Sequence, residues 1–185
     1  MGPFQIRAAR PDELEILIAV DDESTKLYAE SGLRFSLEAD HPFVVAESSR
    51  WAVAIERKLA HVAVDSQDNP VGFITLGFVD GHPYLDQLAV LPSFMRRGIG
   101  SALLRQAISW SGERSLWLTT YSHLTWNRPY YERHGFVTVP EHEWGSELSA
   151  IIQEQRASLP ESWRRVAMVR THDANGALPI AAADD

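Results

Sequence analysis

Short alternating runs and longer amphipathic ones follow one another along the whole chain, so the period of the apolar positions assigns most elements. Phe4-Gln5-Ile6-Arg7-Ala8 alternates with period two and predicts an opening strand. Pro11, Asp12 and Glu13 mark a helix start with acids in its first turn, and Leu14, Ile16, Leu17 and Val20 give that helix an apolar stripe. A second helix is expected over 24–30, a loop over 33–41 and a further helix over 46–57. Strands over 59–64 and 71–78 flank the turn formers Asp65-Ser66-Gln67-Asp68-Asn69-Pro70, a hairpin pattern. A second turn, Asp80-Gly81-His82-Pro83, leads into a strand over 84–90. After a loop over 91–97 a helix begins near Gly98, with Ile99, Leu103, Ala107 and Trp110 on one face and Leu104 and Ile108 widening it. The remainder predicts a strand over 115–120, a short helix over 129–133, a strand over 136–139, a helix over 147–157 and a last strand over 164–170. Strands and helices mixed in this way indicate an α/β or α+β domain with a central sheet. There is no internal repeat, and the Gly-, Pro- and Ala-rich stretch 174–185 reads as a flexible tail, leaving 1–173 as a single domain.

Composition narrows the chemistry. The chain has 185 residues, 45% of them apolar, and carries a net charge of −8. It has no cysteine, which excludes disulfide scaffolds, thiolate zinc sites, iron–sulfur clusters and a cysteine nucleophile. A pI near 5.3 argues against nucleic acid or an anionic membrane surface as partner. No apolar run approaches the ~20 residues of a membrane span. The opening residues are polar where a signal peptide would be apolar, and position 6 is Ile where a myristoylation signal has Ser or Thr, so the expected compartment is the cytoplasm.

The strongest chemical signal is Leu88-Ala89-Val90-Leu91-Pro92 followed by Arg96-Arg97-Gly98-Ile99-Gly100-Ser101. A strand ends, a glycine-bearing turn follows and a helix opens; the first amides of a helix have no internal partner, and its dipole favours an anion there. The 26 residues of 87–112 contain no Asp or Glu but include Arg96, Arg97 and Arg105. At the chain's average frequency roughly 3.5 acids would be expected in that stretch. A basic island in an acidic protein suits a phosphate-bearing ligand, although a solvated basic helix face beside a tight turn would look the same. A dinucleotide fingerprint fails because Leu103 holds its third small position, and no Gly-Lys-Ser/Thr follows to make a Walker loop.

These residues resemble a known family. Leu88-x-Val90-x-Pro92 with Arg96-Arg97-Gly98-Ile99-Gly100 is similar to the acetyl-CoA motif, Q/R-x-x-G-x-G/A, of the GNAT superfamily of N-acetyltransferases. Asn127-Arg128-Pro129-Tyr130-Tyr131-Glu132-Arg133-His134-Gly135-Phe136 resembles its second motif, and Ile6-Arg7-x-Ala9-x-x-x-x-Glu13 and Val71-Gly72-Phe73 resemble its opening and its hairpin. Met95 departs from the usual Gln or Arg, and Asn127 stands only four residues before Tyr131. The resemblance implies a mixed, mostly antiparallel sheet of about seven strands flanked by helices. It implies acetyl transfer from acetyl-CoA directly to a primary amine, with the amides of Arg96, Arg97, Gly98, Ile99, Gly100 and Ser101 on the pyrophosphate. The backbone of Leu88, Ala89 and Val90 would lie along the pantetheine arm, with a cleft towards Leu118-Thr119-Thr120. A backbone N–H of Leu88 or Val90 would face the thioester oxygen, Asn127 would contact the cofactor, and Tyr131 would act as general acid beside it.

The base is less determined. Asp86 is the nearest acid on the motif strand, sharing alternating parity with Tyr84, Leu88 and Val90, while a water relay competes with it and His82 and His123 lie at adjoining loops. The seven histidines show no H-E-x-x-H pattern, so no metal is expected. Trp117, Trp126, Trp144 and Trp163 read as packing residues. Nine acids between Asp12 and Asp40, against Lys26 and Arg34, would attract a cationic amine or simply line a solvated face. Small-molecule and peptide amines both remain open as acceptors, and a homodimer through the last helix and strand rests on analogy alone. The competing reading is a catalytically silent acyl-CoA-binding or interaction module on the same fold.

Overall fold

In the computed structural model, which describes residues 4–172, the alternating start becomes β1 (Gln5–Ala8) at one edge of a seven-stranded sheet. The expected tail, 174–185, lies outside the described residues. β2 (Ala60–Val64), β3 (Pro70–Val79), β4 (His82–Val90), β5 (Leu116–Tyr121), β6 (Val137–Val139) and β7 (Arg165–Arg170) complete the order β1-β2-β3-β4-β5-β7-β6. All neighbours are antiparallel except β4 and β5.

α3 (Ile99–Ser111) covers one face, burying Ile99, Leu103, Leu104 and Ala107 against Ile74, Leu76, Leu85 and Leu118. α1 (Leu14–Ala29), α2 (Pro42–Glu56) and α5 (Ser146–Ser158) lie on the other face, where Leu17, Val20, Trp51 and Ile55 meet Val62, Phe73 and Ala89, and Leu148 and Ile152 meet Val79 and Tyr84. α4 (Arg128–Glu132) is the short helix of the second motif.

Three sequence expectations about helices and packing need correction. The helix expected over 24–30 is the end of α1, because the Ser24 and Thr25 hydroxyls donate back to the carbonyls of Asp21 (2.8 Å) and Asp22 (2.7 Å) instead of capping a new start. α2 begins at Pro42, not position 46: His41 Nδ1 accepts from the Phe43 N–H at 3.2 Å, and proline at the first position is preset for a helix. Trp163 is 69% exposed, lying under the Arg164 guanidinium at 4.4 Å from the ring centroid, so it packs no core.

The β3–β4 hairpin turns through Asp80 and Gly81, both at positive φ. The Asp80 carboxylate then reaches the start of α5, accepting from the Glu147 and Leu148 N–H groups at 3.0 Å each, while the Glu147 carboxylate accepts from the Asp80 N–H. A turn remote in sequence thus caps a helix. Asp80→Ala should lose about 1–2 kcal/mol of stability in urea unfolding, the usual cost of an N-cap, and Asp80→Asn should recover most of it. An Asp80→Ala midpoint equal to that of the unsubstituted protein would show that the cap contributes nothing.

A β-bulge interrupts the same hairpin: Thr75 pairs with Gln87 but Leu76 with Leu85, leaving Asp86 as the extra residue of β4. The expected common parity of Asp86 with Leu88 and Val90 is therefore wrong. Asp86 and Gln87 both turn to the α1–α2 face, where they meet Arg50 and Asp21, while Leu88 and Val90 join the core under α3.

Candidate active site

The chain leaves β4 through a 3₁₀ turn (Pro92–Phe94) and two left-handed residues, Arg96 at φ 58° and Gly98 at φ 80°, before α3 opens. The Met95 N–H still donates backward, to the Pro92 carbonyl at 3.3 Å. The next amide with a backbone acceptor is that of Ala102, to Gly98 at 3.0 Å. Between them the six N–H groups of Arg96, Arg97, Gly98, Ile99, Gly100 and Ser101 have no acceptor among the described residues. Alternation of left- and right-handed residues turns successive N–H groups to one side, which makes an anion-binding concavity. Arg97 folds over the turn, donating to the Ser93 carbonyl at 2.6 Å with its guanidinium 4.8 Å from the Phe94 ring centroid. Neither Arg96 nor Arg97 meets a carboxylate among the described residues, so both charges reinforce the same field.

Gly100 floors the concavity. A Cβ there would lie 3.4 Å from the Tyr130 hydroxyl and 3.9 Å from Val90 Cγ2. That hydroxyl is itself buried, with no hydrogen-bond partner among the described residues. Six unpaired amides, two uncompensated arginines and a close, side-chain-free floor fit the diphosphate of a nucleotide-type substrate.

Beside the concavity, β4 and β5 part. They pair only at Tyr84–Trp117 and Leu85–Leu118, and beyond those β5 stays with β7. The Leu91 N–H donates to Val71 of β3, so the two-residue alternation of an antiparallel ladder also turns Ala89 towards β3. The main-chain N–H groups of Leu88 and Val90 therefore face the open fork, a strand edge without a strand.

α4 brings Tyr131 to this region. Its ring stands edge-on to Tyr130 (5.2 Å between centroids) and Phe136 (5.7 Å), and its hydroxyl pKa is pushed well above the ordinary tyrosine range by burial, then by Tyr130, Tyr28 and Tyr84, with Arg165 opposing. Asn127 precedes α4 and is buried, with Nδ2 donating to the Tyr28 hydroxyl at 3.4 Å, so its amide is turned towards α1.

The α1–α2 face of the fork is densely charged. Both Asp86 oxygens lie 3.2 Å from Arg50 Nε, and burial raises the Asp86 pKa against the pull of that guanidinium. Gln87 Nε2 donates to Asp21, whose pKa burial pushes up to about 6. Glu47 accepts no hydrogen bond from a described residue; burial, with Asp21 and Asp86 nearby, pushes its pKa up to about 8, against Arg50 and Arg165. Glu47 and Asp21 border a cavity of about 140 Å³ shared with Phe35, Phe43, Trp51 and Leu159. His82 lies at the far end of β4, and His123 sits 3.4 Å from Glu161; neither joins the cluster. Among the described residues no group of three or more His, Asp or Glu is arranged to hold a metal ion, and no helix is long and apolar enough to cross a membrane.

The sequence reading missed Glu47, Arg50 and Arg165. A signal existed for the first two: Glu47, Arg50, Trp51 and Ala54 recur at i, i+3, i+4 and i+7, so two charged groups share a stripe with a buried tryptophan and alanine.

A model of the acetyltransferase (GNAT) family matches residues 17–136. The chain is 30% identical over 141 residues to the uncharacterized N-acetyltransferase YafP of Escherichia coli strain K12, covering 76% of this chain and 86% of that protein. Its fold is similar to that of PaiA N-acetyltransferase from Thermoplasma acidophilum, solved in complex with coenzyme A, with a TM-score of 0.67 at 19% identity over 92% of this chain and 100% of that one. It is likewise similar to an acetyltransferase of GNAT family from Staphylococcus aureus Mu50, with a TM-score of 0.65 at 17% identity over 91% and 98% of the two chains.

Proposed function

Since the chain belongs to the GNAT family of acetyl-CoA-dependent acetyltransferases, we propose that it passes the acetyl group directly to a primary amine, with residues 1–173 as the catalytic unit. One observation carries the reading: the six unpartnered amides of residues 96–101 adjoin the unpaired edge of β4. A diphosphate on the first and an extended thioester arm along the second would be held by one continuous stretch of main chain. The chain has no cysteine to take the acetyl group as a thioester, in keeping with direct transfer.

In this reading the amides of Arg96 to Ser101 bind the diphosphate, and the backbone of Leu88, Ala89 and Val90 lines the arm. The N–H of Leu88 or Val90 donates to the carbonyl oxygen as it gains negative charge, the point at which a preorganised donor contributes most. An alkylamine of pKa ~10.4 is mostly protonated at pH 7, and freeing it costs roughly 4–5 kcal/mol. Of the carboxylates on this face, Asp86 is held by Arg50 through both oxygens and Asp21 by Gln87, whereas Glu47 has no hydrogen-bond partner among the described residues. We therefore place proton acceptance on Glu47, with Asp86 fixing Arg50. Glu47 takes the proton of the ammonium, and the second proton, shed as the nitrogen bonds the acetyl carbon, passes to water. Tyr131 gives its hydroxyl proton to the sulfur as the carbon–sulfur bond breaks. The protein thus accepts one proton and donates one. Asn127 contributes its side-chain oxygen to the cofactor side, since its nitrogen serves Tyr28.

The test is release of free thiol from acetyl-CoA with a panel of primary amines. Tyr131→Phe should lower kcat about 10²-fold, in the range of a positioned acid, with the Kd for acetyl-CoA changed less than twofold. An unchanged kcat would remove Tyr131 from the chemistry. Tight acetyl-CoA binding without thiol release on any amine would leave a silent acyl-CoA-binding module.

A further inference from the structure

On the α1–α2 face of the fork, neither Arg165 nor Glu47 makes an ion pair with a described residue. Arg165, the first residue of β7, donates from Nε to Gln155 Oε1 at 3.2 Å and from Nη2 to Thr119 Oγ1 at 3.0 Å, and its guanidinium lies 4.9 Å from the centroid of the Tyr121 ring. All three neighbours are neutral. Arg7 and Arg50 close instead on carboxylates, at 2.7 Å and 3.2 Å. Three of the five N–H groups of Arg165 remain unassigned, and a planar guanidinium with adjacent free donors matches a carboxylate. Thr119, which anchors it, is the first residue of β5 beyond the parting from β4, and it also contacts the Tyr84 hydroxyl at 3.2 Å.

The opposite charge is Glu47, unpartnered on the wall of the 140 Å³ cavity. The Tyr121 ring beneath Arg165 meets Phe35 edge-on at 6.4 Å between centroids, and Phe35 lines the cavity. Arg165 is close enough to Glu47 and to the Tyr131 hydroxyl for its charge to oppose the rise of both pKa values. A cavity of this size admits a small acceptor; drug-sized ligands occupy roughly 300–1,000 Å³.

We propose that the acceptor is a small amine carrying its own carboxylate, an amino acid, with that carboxylate on Arg165 and its amine turned to Glu47. A purely cationic acceptor would leave Arg165 uncompensated and place like charges together, whereas a zwitterion satisfies both walls at once. The proposal rests on the amine-transfer reading above and adds the acceptor's chemical class.

The experiment compares the twenty standard amino acids with their amides and with the corresponding decarboxylated amines, read in two ways: kcat/KM by thiol release, and calorimetric binding to the protein saturated with coenzyme A. At least one amino acid should exceed its amide and its decarboxylated amine tenfold or more in kcat/KM, the range of one charge-assisted hydrogen bond. Arg165→Gln should bring that ratio within threefold of unity, and Arg165→Lys should restore part of it. Unchanged acetyl-CoA affinity in both variants checks that they are folded. Amines or amides used as well as amino acids, or a ratio insensitive to Arg165→Gln, would overturn the proposal while leaving amine transfer standing. Binding of an amino acid through Arg165 without turnover of any amine would sustain the zwitterion site and defeat the transfer reading. Neither binding nor turnover across the panel would overturn the proposal.

Discussion

Replacing Gly100 by glutamate is expected to weaken acetyl-CoA binding about a thousandfold while the protein stays folded. A Cβ there would touch the Tyr130 hydroxyl at 3.4 Å, an ordinary contact, so the backbone accepts a side chain. A glutamate is expected to project over the amides of Arg96 to Ser101. There its carboxylate would accept from the helix's own unpartnered N–H groups, a favourable contact for an acid at a helix start. The variant thus fills its own anion site and repels a second anion. Losing two or three charge-assisted hydrogen bonds of about 1.5–3 kcal/mol each amounts to some 4 kcal/mol or more, hence the factor. Gly100→Ala separates bulk from charge and should weaken binding far less. Calorimetry with coenzyme A, paired with thermal unfolding of each variant, reads the outcome. Near-normal affinity in Gly100→Glu would show that the diphosphate lies elsewhere.

That prediction could be written from the sequence because everything behind it is local. The left-handed turn, the missing helix acceptors and the absence of acids over 87–112 all arise within one stretch of chain. The apolar stripe of α3 was legible for the same reason, since Ile99, Leu103, Leu104 and Ala107 need only their own period to declare a buried face. The acceptor side depends on partners far apart in the chain. Asp86 became a bulge only because β3 pairs with Leu85 and Gln87 across it, which no alternation within β4 could reveal. Ser24 resembled a helix start because its neighbours are polar; the bond that keeps it inside α1 goes to a carbonyl three residues back. Arg165 reads as an ordinary strand-end cation until the fold sets it over Tyr121 beside a fork in the sheet. Residues whose role depends on how strands and helices meet were thus the ones missed, and they populate the α1–α2 face of the fork.

Glu47 is the sharpest case, and its replacement carries the second large effect. Glu47→Gln is expected to lower kcat/KM at pH 8 about 10³-fold, within the range of a positioned base. The pH dependence is the more specific readout. With its pKa pushed up to about 8, Glu47 is protonated through neutrality and becomes a competent base only as pH rises through that value. Wild-type kcat/KM should climb with unit slope to about pH 8 and then level. In the glutamine variant the break near pH 8 should vanish, and the rate should go on climbing to the amine's own pKa of about 10. Stability must move the opposite way. The folded protein holds the Glu47 proton at pH values where the unfolded chain has released it, so Glu47 makes stability fall between about pH 4.5 and 8. Asp21 and Asp86, also raised by burial, add to the same trend, while Arg50 and Arg165 moderate it. Glu47→Gln should therefore unfold at a higher temperature than wild type at pH 9 and show little difference at pH 4. Asp86→Asn, which leaves Arg50 without its carboxylate, should retain the break near pH 8. If that variant loses the break while Glu47→Gln keeps it, the proton goes to Asp86 and the unpartnered carboxylate on α2 has no part in the transfer.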